Sequence, residues 1–462
     1  MTVPSSVLSA LDSGLPGSLD RLFELLRIPS ISTDPAYAGD CRKAAEWLVE
    51  DLVSIGFTAG VRDTAGHPMV VAHHAGASAD APHVLFYGHY DVQPVDPLEL
   101  WEDDPFAPAV KTGSSGRKII TGRGSADDKG QLMTFVEACR AWKAATGSLP
   151  CAVTILFEGE EESGSPSLKP FLEANAEELK ADFALVCDTG MLDHETPAIS
   201  TGLRGLVGEE IVVKAASRDL HSGLYGGAAA NPIHILSTIL ADLHDADGRV
   251  TLAGFYDGVD ETPPEILAGW EKLGSRAEDL LSDIGLSVPS GEKGRSILEL
   301  TWARPTAEVN GITGGYTGKG FKTVIAAEAS AKVSFRLVHR QQPEAIRAAF
   351  RAFVQERIPA DCSVEFHKHG GSPAIQLPYD SPLLIKAKQA LSDEWPNETV
   401  MIAMGGSIPI VGDFQSLLGM DSLLVGFGLP DDRVHSPNEK YELSSFQKGQ
   451  RSWARILGAL AA

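Results

Sequence analysis

Long apolar stretches are missing from this chain. No run approaches the roughly 18 uninterrupted apolar residues that a membrane span requires. The first residues, MTVPSSVLSALDSGLPGS, carry neither a charged n-region nor a continuous apolar core. The expectation is a cytoplasmic chain without export signal or membrane anchor. Cysteine is scarce as well: Cys41, Cys139, Cys151, Cys187 and Cys362 are odd in number, far apart, and include no Cys-x-x-Cys pair. That excludes a thiolate zinc cluster and argues against a disulfide framework. Cys151 and Cys187 lie at strand-like apolar runs and read as small buried hydrophobes. Positive charge is in deficit, with 39 Lys and Arg against 62 Asp and Glu, a formal charge of −23. A chain that acidic repels phosphate backbones, so nucleic acid is not expected as a partner.

What is present is an ordinary globular balance, 43% hydrophobic and 22% charged over 462 residues, long enough for more than one domain. Leu19, Leu22, Phe23 and Leu26 follow helical spacing, and a second helix is predicted from Arg42 to Ile55, with Gly56 ending it. The apolar runs Pro68–Ala72, Val84–Tyr87, Ala152–Phe157 and Phe183–Cys187 alternate with helical patterns such as Gln131–Ala145. They read as central strands of an α/β sheet. Near residue 200 the pattern changes to period two, over Gly205–Ala215 and Ala329–Val338, the mark of a one-sided antiparallel sheet. Helices are predicted there at Pro232–Leu243 and Glu344–Glu356. The α/β character returns after residue 380, with a strand at Ser422–Phe427 and a helix near Phe446–Leu457. The predicted fold class is a catalytic α/β domain with a mostly parallel sheet, residues 1–201 and 381–462, interrupted by a smaller α+β lid or dimerisation domain, residues 202–380.

The chemistry-bearing residues fall where strands end. EGEEE, Glu158 to Glu162, follows the run CAVTILF directly, and sites in open α/β sheets gather beyond the carboxyl ends of strands. The run HVLFYG ends in His89-Tyr90-Asp91, whose first and third side chains share a face. A metal-binding imidazole needs a partner for its other N–H, and Asp91 is placed to be one. GRGSADDKG sets Asp127 and Asp128 on a glycine-rich turn before a helix. FALVC ends at Asp188, and His435 lies in the polar loop VHSPNEKY after the last strand. Carboxylates combined with imidazoles suit zinc, manganese or cobalt better than copper or an iron–sulfur cluster.

Together HYDVQP, GRGSADDKG, EGEEESGS, DLHSGLYGG, GGSIP and HSPNE resemble the dinuclear-metal peptidases: carnosine dipeptidase, bacterial glutamate carboxypeptidase, aminoacylases and succinyl-diaminopimelate desuccinylase. The resemblance runs from about residue 20 to 455, with the motifs in family order. It implies two divalent ions, zinc with manganese or cobalt as alternatives. One would be held by His89, Asp127 and Asp188, the other by Asp127, Glu162 and His435, with Asp127 bridging and Asp91 orienting His89. Glu161 matches the family's general base. Glu158 and Glu160 read as electrostatic surroundings. His221 matches a histidine that polarises the scissile carbonyl, supplied by the neighbouring subunit of a homodimer.

Arg336 projects from the polar face of its strand and can pair bidentately with a carboxylate. Asn310 and Thr323 line the substrate site in relatives, and the turn Gly405-Gly406-Ser407 would add a hydroxyl and backbone donors. The implied reaction is hydrolysis of dipeptides or short peptides that keep a free C-terminal carboxylate. One departure matters. Relatives commonly place a charged or polar pair before GGSIP, where this chain has Ala403 and Met404. That keeps an N-acyl-amino-acid amidohydrolase open as the alternative. A binding protein that had merely kept the fold would have lost Glu161 or a ligand, and none is lost.

Overall fold

The computed structural model describes residues 3–78, 80–273, 280–282, 284–404 and 409–462. Gly406 and Ser407 lie outside the described residues. The chain divides into two compact units. The first comprises Met1–Thr201, Leu377–Met401 and Asp413–Ala462; the second comprises Gly202–Gln376 and Ile402–Gly412. Residues 377–380 therefore group with the first unit and 402–412 with the second, whereas the sequence reading ended the insert at 380.

In the first unit every residue from Val84 to Gly88 and from Val153 to Phe157 is buried on both pleat faces. Strands of that kind must be central and covered by helices. The strands Ala152–Glu158, His83–His89, Phe183–Val186 and Asp421–Val425 lie side by side in that order and are all parallel. Met69–His74 and then Thr58–Arg62 extend one side antiparallel, and Ala198–Leu203 pairs antiparallel with Asp421–Val425 on the other. The expected α/β class stands. The run at Pro68–Ala72 enters as Met69–His74, antiparallel to both neighbours. Burial on two faces does not set direction; the short link back to Thr58–Arg62 does, because it can only close a hairpin.

The first helix runs Ser5–Leu26, starting well before Leu19 and passing through Pro16. Proline costs an interior hydrogen bond. Val7, Leu11, Leu22, Leu25 and Leu26 nevertheless keep one stripe buried against the helices Lys129–Thr146 and Leu443–Leu460, and tertiary burial prevails. The centre of this core is aromatic. Phe86 stacks on Phe135 at 3.8 Å, and Trp453 meets each of them edge-on at 5.5 Å.

The second unit holds an antiparallel sheet in the order Thr306–Gly314, Glu328–Leu337, Gly205–Lys214, Ser363–Ser372. Burial alternates strictly along Gly205–Lys214. The buried set, including Val207, Ile211, Val333 and Phe335, packs with Leu236 and Ile239 of the helix Pro232–Ala241 and with Ile346 and Phe350 of Pro343–Gln355. Ile233, Ile235 and Leu240 pack partly against the same core. The apolar side chains of that helix thus pack on its own sheet. Among the described residues no helix is long and apolar enough to cross a membrane.

Trp453→Ala should lower the unfolding free energy by about 3–5 kcal/mol, the range for a buried aromatic cut to alanine. Urea denaturation followed by circular dichroism measures it. A loss below about 1 kcal/mol would mean the ring cluster is not the keystone of this core.

Candidate metal centre

The loops that carry His89, residues 158–162, Asp188 and His435 follow the carboxyl ends of the parallel strands, whereas the Asp127 loop follows Lys118–Thr121 of a separate antiparallel sheet. His89 is the last residue of its strand and is in register with Glu158 on the neighbouring strand. Phe183–Val186 runs on through Cys187 to Asp188. Asp127 and Asp128 precede the helix Lys129–Thr146, where the unpaired backbone N–H groups of a helix N-terminus favour carboxylates. Two glycines make the loop possible. A Cβ at Gly130 would lie 1.9 Å from the Ser125 carbonyl oxygen, and one at Gly88 would lie 2.8 Å from Asp128 Oδ2. Through that second gap the Asp128 carboxyl reaches the His89 backbone N–H at 3.1 Å.

The side chains converge on Asp127. Its Oδ1 is 3.0 Å from His89 Nε2 and its Oδ2 is 3.0 Å from His435 Nε2. His435 Nε2 is also 3.1 Å from Glu162 Oε2, to which Gln93 donates at 2.8 Å. Two triads result, His89–Asp127–Asp188 and Asp127–Glu162–His435, each with its donor atoms within 4.8 Å of one another. His89 turns its other nitrogen, Nδ1, to the Asp91 carbonyl at 3.2 Å and to its carboxylate at 3.4 Å. Asp91 also accepts the backbone N–H groups of Glu161 at 3.3 Å and Glu162 at 3.0 Å. One buried carboxylate therefore orients a ring and anchors the acidic turn. Among the described residues the Glu161 carboxylate has no hydrogen-bond or ion-pair partner.

The charge here is unbalanced by protein alone. Burial, and then Asp127, Glu161 and Glu162, push the Asp188 carboxyl well above the usual range although His89 opposes them. Burial likewise raises Glu161, helped by Glu162, Asp91 and Asp127 and opposed by His89. Asp127 goes the other way: burial would raise it, but His435 and His89 together hold it low. Carboxylates crowded out of water at this spacing call for cations between them. Oxygen donors with two imidazole Nε2 atoms facing one shared carboxylate form a set that fits a pair of divalent ions.

Several residues matter that their sequence context had not singled out. Glu439, fully buried, accepts from Arg123 Nη1 at 2.7 Å and from the backbone N–H groups of Gly124 (3.0 Å), Ala126 (2.9 Å) and Asp127 (3.2 Å). It lies four residues beyond His435 and so ties the loop of one ligand to the loop of the other. Its only sequence signal was its place in VHSPNEKY, since a loop glutamate shows no periodicity that would mark it as buried. Glu158 and Glu160 each have defined partners within the fold. Burial pushes the Glu158 carboxyl up to about 8, with Tyr87 OH donating to it at 2.6 Å, so it is largely neutral at pH 7. Glu160 accepts the backbone N–H groups of His67 and Ser167 and braces the turn.

The remaining candidates belong to the second unit. His221 is exposed; its Nδ1 accepts the Gly223 N–H at 3.0 Å. Thr323 lies beside it, its carbonyl accepting from the Ser222 N–H at 3.1 Å. Arg336 and Asn310 line one cavity of that unit.

The model of the family described as Peptidase family M20/M25/M40 matches residues 85–459. Over 460 residues the chain is 31% identical to the Cys-Gly metallodipeptidase dug1 of Schizosaccharomyces pombe, covering 96% of this chain and 95% of that protein. It is 29% identical over 400 residues to the Beta-Ala-His dipeptidase of Homo sapiens, covering 85% and 78%. Among solved structures, an M20 family metallo-carboxypeptidase of Sulfolobus solfataricus matches with a TM-score of 0.78 at 30% identity, covering 96% of this chain and 99% of that one.

Without cations the surrounding carboxylates push both imidazoles toward the protonated form. Asp127 and Glu162 raise His435 to about 10 against the opposing effect of burial. Burial lowers His89, but Asp127 and Asp91 outweigh it and carry it well above its usual value. A cation entering either triad must displace such a proton. Affinity should therefore fall from about pH 9 to about pH 6, by up to about tenfold per unit for each proton displaced. Calorimetric titration of the metal-free protein in buffers of different ionisation enthalpy counts the protons, and a pH-independent affinity would show that these rings are not ligands.

Proposed function

This chain belongs to peptidase family M20/M25/M40, and we propose that, as a metallopeptidase of that family, it hydrolyses dipeptides or short peptides carrying a free C-terminal carboxylate. The observation that carries the reading is the pairing of an unpartnered Glu161 carboxylate with two triads that share Asp127. Two divalent ions, zinc first and manganese or cobalt as alternatives, would be held by His89, Asp127 and Asp188 and by Asp127, Glu162 and His435. They would supply Lewis acidity, polarising a carbonyl and making water nucleophilic near neutral pH.

The chain's own groups do the rest. Glu161 takes a proton from the attacking water and returns it to the leaving amine. Its raised pKa suits both halves of that task, because a carboxyl nearer neutrality both accepts and releases a proton readily. Asp91 keeps the His89 ring turned and the Glu161–Glu162 backbone in place. His221 accepts a backbone N–H at Nδ1, which leaves Nε2 as the ring's donor for the scissile carbonyl oxygen. We place His221 in the site of the partner subunit of a homodimer. Arg336 takes the terminal carboxylate, with Asn310 and Thr323 alongside. The fungal relative named for Cys-Gly and the human one named for Beta-Ala-His are both dipeptidases, which supports small peptides as the substrate class.

Mass spectrometry of matched pools, free dipeptides against their N-acylated counterparts, on metal-loaded enzyme tests the substrate class. Free dipeptides should be consumed first; preference for the acylated pool would make the chain a deacylase. Glu161→Gln should keep both ions by elemental analysis yet lose about a thousandfold in kcat. Near-normal turnover by that metal-replete variant would remove Glu161 from its role.

Mixing Glu161→Gln with His221→Ala subunits should restore activity toward about one quarter of the wild-type rate, from the single competent site of each hybrid dimer. No recovery after demonstrated subunit exchange would place His221 in its own subunit's site.

A further inference from the structure

A cavity of about 890 Å³ lies within the second unit, walled on one side by the polar face of its antiparallel sheet. Thr306 is in register with Arg336 and Glu308 with Ser334 on the adjacent strands. Residues two apart along a strand share a face, and all four of these line the cavity, as does Asn310 at the bulge between Val309 and Gly311.

Most of the cavity's charges are already engaged. Arg304 is held bidentately by Glu292 at 3.1 and 2.8 Å. Lys293 pairs with Asp247 at 3.0 Å. Asp245 accepts the backbone N–H groups of Asp247 and Arg249, and Arg204 donates to the Leu300 carbonyl at 3.4 Å. Among the described residues the side chains of Glu308 and Arg336 have no hydrogen-bond or ion-pair partner, even with each other. Both nevertheless act on Arg204, whose guanidinium falls to about 10 through burial and Arg336, with Glu308 opposing the drop. The cavity thus presents one open carboxylate and one open guanidinium on a common face.

Glu308 and Arg336 are diagonal neighbours in that register, and their backbone separation indicates the length of ligand that both side chains could grip. Diagonal neighbours on an antiparallel pair are about 7–8 Å apart, and two residues of extended chain span at most about 7 Å. A zwitterionic dipeptide carries opposite charges at its two ends over that length. We propose that Glu308 is a specificity-determining residue that takes the free α-ammonium group of the substrate while Arg336 takes its α-carboxylate. This rests on the reading of Arg336 given above and narrows it, selecting unblocked dipeptides over N-acyl amino acids. An acyl group in place of the ammonium leaves the Glu308 carboxylate partly desolvated and unpaired, and unpaired polar groups are the strongest source of discrimination a binding site has.

The test uses the full-length, metal-loaded enzyme with Ala-Ala and with propionyl-alanine, which differs only in lacking the amino group. Wild type should favour Ala-Ala. Glu308→Gln should lower kcat/KM for Ala-Ala about tenfold, the scale of one charged hydrogen bond, and leave propionyl-alanine unchanged. Glu308→Lys should shift preference to succinyl-alanine, whose acyl group is anionic. Equal losses on both substrates, or no loss on either, would overturn the proposal. Arg336→Gln separates the underlying reading: it should cost both substrates alike. If it does so while Glu308→Gln changes nothing, only the amine assignment falls; if Arg336→Gln has no effect, the carboxylate reading falls with it.

Discussion

Asp127 faces His89 with one carboxylate oxygen and His435 with the other, each at 3.0 Å, and the local architecture of the first unit follows from holding that geometry. The two histidines are 346 positions apart in sequence. One ends a central strand, the other rides a loop after the last parallel strand, and the aspartate sits at a helix N-terminus between them. Gly88 and Gly130 allow backbone approaches that a Cβ would forbid. Glu439 locks the aspartate's loop to the histidine's loop by accepting four hydrogen bonds at one carboxylate. A helix end and a strand end can each be set by local propensity, but the meeting of three such ends needs a clamp, and Glu439 provides it.

The carboxylates around this point do different work, and burial separates their tasks. Glu158 is pushed toward neutrality and kept as a hydrogen-bonded acid beneath the site. Glu160 and Asp91 accept backbone N–H groups and fix the turn between them. Asp127, Asp188 and Glu162 remain as oxygen donors, and Glu161 remains unengaged. The four glutamates of one acidic motif thus divide into a hydrogen-bonded acid, a brace, a carboxylate without a partner among the described residues, and an oxygen donor facing His435. Such a division is possible because a carboxyl's charge depends on its surroundings more than on its chemistry.

The second unit supplies the opposite kind of group. Against a chain of net charge −23, its sheet face keeps a guanidinium with no side-chain partner among the described residues, beside a carboxylate that does not pair with it. Arg304, Arg347 and Arg351 of the same unit are all engaged by buried glutamates. A protein that could pair its arginines so thoroughly, and leaves Arg336 open in a cavity, has a charge available for a ligand.

The alternation of apolar runs and helical patterns was enough to predict an α/β sheet carrying an α+β insert, because periodicity is written residue by residue. His89, Asp127, Asp188, Glu162 and His435 each stand in a short motif that could be singled out locally, and the fold brings their donor atoms within 4.8 Å of one another in two triads. Direction was less legible: the run at Pro68–Ala72 looks like its parallel neighbours and runs antiparallel, since a connection rather than a composition sets it. The helix Ser5–Leu26 continues through Pro16 because packing against two distant helices outweighs a local penalty. What only the tertiary structure decided were the surroundings and partners of the carboxylates: Glu158 pushed up by burial, Asp91 bonded to two segments at once, Glu439 clamped across 312 positions to Asp127. The sequence by itself determined which atoms were available for chemistry. Burial and long-range contact, which no local pattern encodes, determined which of those atoms carry charge and which hold the others in place.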